Sequence, residues 1–110
     1  MSREAFVHQA QLVLNEGVDP AGPGAAVTTA LCGHWEHEGP CRWPHNNELN
    51  GDSFRTVFVA DADEEQAVRS KIDEALQAAT GWSVGSSGPR EPAPEERELG
   101  RRLRAVPHTP

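Results

Sequence analysis

Residues 54–81, "FRTVFVADADEEQAVRSKIDEALQAATG", decide the fold class. The first seven alternate: Phe54, Thr56, Phe58 and Ala60 share one face of an extended chain, and Arg55, Val57 and Val59 share the other. Apolar groups on both faces predict a central strand, or one covered by helices. Past residue 60 the apolar period lengthens to that of a helix, with Val68, Ile72, Ala75, Leu76 and Ala79 in one stripe. Asp61 followed by Glu64 forms a capping-box pattern. Arg69 and Asp73, four residues apart, are a candidate ion pair, and Gly81 follows the end of the helix.

Upstream, Phe6, Ala10, Val13 and Leu14 are spaced as on one helix face, which predicts a helix over 3–15 with Ser2 as N-cap and Gly17 as stop. "DPAGPGA" reads as a loop, since two prolines and two glycines oppose regular structure. "AAVTTAL" (25–31) is β-branched at its centre and reads as a second strand. The expected order is α-β-β-α with an extended hairpin between the strands. This is an α+β domain, a small antiparallel sheet with two helices packed on one face.

Between the two strands lies "CGHWEHEGPCRWPHNN" (32–47), which holds both cysteines of the chain. If the chain reverses at Gly39-Pro40, then Cys32, His34, Glu36, Cys41, Trp43 and His45 share one face, and Trp35, His37, Arg42 and Pro44 the other. In that register His34 faces His45. Cys41 lies about 13 Å along the strand from His45, too far to join it or to meet Cys32 in a disulfide. An open loop would instead let Cys32, His34 or His37, Cys41 and His45 surround a zinc ion, although the spacing matches no standard zinc pattern. A third arrangement makes Cys32 a nucleophile with His34 or His45 as base and Glu36 orienting it. Trp35, His37, Arg42, Trp43 and His45 together form a candidate binding surface, aromatic and arginine-bearing, while buried tryptophans would simply be core. Residues 43–53 read as a polar loop, and the Trp43–Pro44 bond is a candidate cis peptide.

Downstream of residue 82 the composition shifts. Residues 83–110 hold five of the nine prolines and few large apolar side chains, which predicts a disordered tail after a single domain over 1–82. "PEERELGRRLRA" within it has the proline-first, acid-before-base pattern of a transient helix, weakened by Gly100. Trp82 is placed at the edge of the core. Residues 1–82 hold 5 basic and 13 acidic side chains and residues 83–110 hold 5 and 4, so the tail's Arg97, Arg101, Arg102 and Arg104 are suited to an acidic partner or to their own domain.

The net charge of −7 opposes nucleic-acid binding. The N-terminal residues lack the apolar run of a signal peptide, and no stretch approaches a membrane span, which predicts a cytoplasmic protein with its cysteines reduced. There is no C-x-x-C pair, P-loop, G-x-G-x-x-G or G-x-S-x-G.

"LCGHWEHEGPCRWPHNN" followed by "FRTVFVA" and an acidic helix resembles small bacterial proteins of actinobacterial type with no established function. The resemblance spans about residues 25–80 and implies a bacterial origin but no activity. The sequence thus points first to a non-enzymatic binding or regulatory module that presents its histidine-tryptophan hairpin to a protein, or pairs through a sheet edge with a second copy. The alternatives are a zinc-binding module through Cys32, His34, Cys41 and His45, and a small thiol or acid-base enzyme.

Overall fold

The computed structural model describes residues 3–32 and 43–105. Four strands form one antiparallel sheet in the order β2-β3-β1-β4. In chain order the elements are β1 (Arg3–Leu14), α1 (Gly22–Cys32), β2 (His45–Asn50), β3 (Ser53–Asp61), α2 (Glu65–Ala78), β4 (Trp82–Arg90) and α3 (Pro94–Arg104), with a single 3₁₀ turn (Ala62–Glu64) before α2. The first six follow the β-α-β-β-α-β succession of the split βαβ motif. The α+β class is as expected; the element order is not.

Residues 54–81 fold as their pattern demands. β3 lies between β2 and β1, and Phe54, Thr56 and Phe58 are buried on one face while Val57 and Val59 are buried on the other. Val68, Ile72 and Leu76 of α2 are buried against the sheet. Gly81, at φ 114°, turns the chain into β4, and a side chain there would press on Val18. The expected cap differs: Asp61 makes no side-chain bond to the helix, because the 3₁₀ turn intervenes.

Two elements exchange identity. Residues 3–14 are strand β1, not a helix, and Gly22–Cys32 is helix α1, not a strand. In β1 the spacing of four between Phe6, Ala10 and Leu14 also satisfies a period of 2. His8 and Leu12 complete that alternate row, and both are buried. Pairing with β3 on one side and β4 on the other selects the strand. In α1 the alanines favour helix, Pro23 sits in the first turn where its missing N–H costs little, and Val27, Thr28 and Leu31 form the buried face.

The loop expected over 43–53 is mostly strand. Asn50 pairs with Ser53 across a two-residue turn whose first residue, Gly51, has φ 62°, a conformation matching the twist of tight hairpins. No cis peptide occurs among the described residues, Trp43–Pro44 included.

The disordered tail expected from residue 83 is overturned over residues 83–104, which form the rest of β4 and α3. β4 pairs with β1 along its length, with one extra residue bulged near Gly85. An edge strand is held by its backbone ladder and needs few large side chains, which is why its composition resembled a linker. Trp82 packs on the core as expected and donates its indole N–H to the Leu76 carbonyl (3.0 Å). Residues 106–110 lie outside the described residues.

Both faces of the sheet carry helices, rather than one. α1 and α2 cover the face of Phe6, Ala10, Leu12, Phe54 and Phe58. On that face His8 is buried, donating from Nε2 to Asp73 (2.8 Å) and accepting at Nδ1 from Arg69 (3.1 Å). Arg69 also bonds the Val7 carbonyl and Glu65, and lies over the Phe58 ring at 5.3 Å. The expected Arg69–Asp73 pair is therefore replaced by Arg69–Glu65 and His8–Asp73. α3 lies on the opposite face. Its Gly100 approaches Ala5 so closely that a Cβ would stand 2.7 Å from that of Ala5. Glu96 makes two bonds to Arg55 of β3 (2.7 and 2.8 Å).

Candidate functional site

Where α1 begins, it leans over β2 and leaves a cavity of about 320 Å³. Leu49 and Phe54 supply apolar wall; Gly24, Thr28, His45 and Asn47 supply the polar side. These residues come together because Thr28 sits on the inward face of α1, while His45 and Asn47 are alternate residues of β2 on the same side as Thr56 of β3, the register partner of Asn47.

A directed chain of hydrogen bonds links them. Thr56 donates to Asn47 Oδ1 (2.8 Å), and Asn47 Nδ2 donates to Thr28 Oγ1 (3.3 Å) and to the Gly24 carbonyl (3.2 Å). His45 Nδ1 faces the Trp43 carbonyl at 3.0 Å, which places its proton there and leaves Nε2 to accept from the Thr28 hydroxyl (3.0 Å). Each side chain is thereby fixed in one orientation. The unused lone pairs of Thr28 Oγ1 and Asn47 Oδ1 are acceptors, so the cavity suits a molecule that donates hydrogen bonds.

The expected site residues divide. His45 is half-buried in this cavity. Trp43 is 7% exposed and belongs to the core, with the Lys71 ammonium 5.8 Å from its ring centre, so it is not part of an open binding surface. Cys32 ends α1 instead of lying on a strand, and its Sγ comes within 3.9 Å of His45 Nδ1. Cys32 is disulfide-bonded, and the chain's other cysteine is Cys41. This overturns the expectation of reduced thiols and the placing of Cys32 beyond disulfide reach. The extended-hairpin geometry assumed a strand at Cys32, and a helix end aims its side chain differently. His34, Trp35, His37, Cys41 and Arg42 lie outside the described residues.

A disulfide sulfur is not a thiolate, so Cys32 in this state fits neither a zinc ligand nor a nucleophile. Both ring nitrogens of His45 are already engaged. Among the described residues no three His, Cys, Asp or Glu side chains cluster as metal ligands, and no helix is long and apolar enough to cross a membrane. Thr28, Asn47 and Thr56 were not singled out in the sequence. Their only signal is the alternation of His45 and Asn47, which becomes visible once 45–50 is read as a strand.

No family model, curated protein or solved structure matches the chain.

Proposed function

We propose that the chain is a non-enzymatic binding module whose recognition end is the α1–β2 cavity. The observation that carries this reading is the oriented row Thr56–Asn47–Thr28–His45, which leaves acceptor lone pairs on Thr28 and Asn47, both in the lining of a cavity large enough for a small polar group.

The test is a titration of the isotopically labelled chain with a panel of small hydrogen-bond donors, amides, amidines and imidazoles, followed by NMR. Expected are shift changes centred on Gly24, Thr28, His45 and Asn47, with at least tenfold weaker binding in Thr28→Val, which keeps the shape and removes the hydroxyl. Changes centred elsewhere, or binding indifferent to Thr28→Val, would overturn the reading.

A further inference from the structure

A second cleft, of about 390 Å³, lies between α3 and the start of β1, on the opposite face of the sheet from the first. Ala5, Val7 and Val57 form its apolar floor, and Arg97, Arg101 and Arg104 stand along its α3 side. Those arginines are spaced four and three residues apart, which puts them on one helix face in a row about 10 Å long. Arg101 is paired with Glu98; Arg97 and Arg104 make no ion pair among the described residues. The carboxylate of Glu96 at the cleft is committed to Arg55, while Glu4 is exposed.

Among the described residues the sheet is also incomplete at this spot. β3 pairs with β1 from Arg3 onward, but β4 pairs only from Val7, opposite Arg90. Residues Glu4–Phe6 therefore have a strand on one side and, among the described residues, none on the other. After Arg90 the chain leaves the sheet through Glu91–Ala93 to start α3. Arg3 donates to the Arg104 carbonyl (2.8 Å), tying the end of α3 alongside this open stretch.

From this juxtaposition we propose that the cleft receives an extended acidic peptide segment of another protein, added to β1 as a short strand in line with β4. About three residues fit beside Glu4–Phe6. Main-chain bonds to the open edge supply affinity. Carboxylates at alternate positions, about 7 Å apart, face the Arg97–Arg101–Arg104 row on the α3 side. The strand pairs the open edge and the carboxylates neutralise a basic row on a chain of net charge −7. This site is independent of the α1–β2 cavity.

The experiment titrates the full chain with a capped peptide of alternating valine and glutamate, six residues long, followed by NMR. Expected are shift changes at residues 4–7 and 97–104, and at least tenfold weaker binding in the double variant Arg97→Ala/Arg104→Ala, whose side chains are exposed and outside the core. An N-methylated peptide of the same sequence should bind at least tenfold more weakly, since it cannot pair as a strand. Equal binding of the lysine-for-glutamate peptide, equal binding of the N-methylated peptide, or no binding at millimolar concentration would each overturn the proposal. So would binding that appears only after deletion of residues 106–110, because the occupant would then be the chain's own terminus, or shift changes reproduced by self-dilution, because it would be a second copy.

Discussion

The two faces of the sheet are covered by different means. Between the sheet and the pair α1 and α2 lie large apolar side chains, Phe54, Phe58 and Leu12 from the strands and Ile72 and Leu76 from α2, each fully buried. On the α3 side the buried apolar side chains are smaller, Val7, Val57 and Val59, Gly100 sits against Ala5, and the helix is also fastened by polar links: Arg55–Glu96 to β3, Arg3 to the Arg104 carbonyl, and Glu96 to the Ala93 N–H (2.8 Å). Burial of apolar area is the dominant favourable term in folding, whereas a hydrogen bond, even a charged one, contributes less. The first face therefore holds the domain together and the second holds one helix in place. Damage to the first should be global, and damage to the second should be confined to α3.

The largest effect is expected from Phe58→Ala. Removing a fully buried ring at the centre of the sheet should cost about 3–5 kcal/mol, seen as a lowered denaturant midpoint of the whole domain. Asp73→Ala, also on this face, would leave the buried Nε2–H of His8 without its acceptor and should cost about 2 kcal/mol in the same global transition. If its effect were confined to the end of α2, the His8 network would not be part of the shared core.

The far face should respond differently. Glu96→Gln should cost about 1.5 kcal/mol, read by hydrogen exchange as lost protection of residues 94–104 with little change in β3 or α2. Acid should imitate it. The hydrogen bond from Arg55 is the main cause holding the Glu96 carboxyl below its usual pKa of 4.5, with the Ala93 N–H adding to it. Since the folded value is the depressed one, this contribution is complete above about pH 4.5 and is lost as the pH falls through the folded value. Protection of α3 should therefore fall in acid before the global midpoint moves, and simultaneous loss of both would erase the distinction between the faces. The smallest effect is expected from Gly100→Ala. Alanine is the better helix former by about 1 kcal/mol, but its methyl meets Ala5 at 2.7 Å, and displacing packed atoms costs about 1–3 kcal/mol. A net loss of about 1 kcal/mol in α3 alone should follow. The double variant Ala5→Gly/Gly100→Ala should recover part of it.

The parts of the fold readable in advance are those where one period stands alone. In β3 no helical stripe competes with the alternation of Phe54 to Ala60, and in α2 Ala75 and Ala79, at odd offsets from Val68, Ile72 and Leu76, break a period of 2 and fit the helical one. β1 was misread because Phe6, Ala10 and Leu14 serve both periods, and α1 because Val27, Thr28 and Thr29 are β-branched although alanines surround them. The site was legible only in part. His45 and its nearness to Cys32 could be anticipated. Thr28 could not, because its place opposite His45 depends on α1 being a helix.

The sequence by itself determined the α+β class, the central strand and its following helix, and the acidic balance that repels polyanions. Each of these depends on residues close together in the chain or on their sum. Only the tertiary structure decided that 3–14 extends, that 82–104 joins the sheet and covers its far face, and that Thr28, His45 and Asn47 meet. These outcomes rest on contacts between distant segments, above all the ladders on both sides of β1 and the Arg55–Glu96 link. Where local preference is balanced or weak, such long-range pairing sets the result.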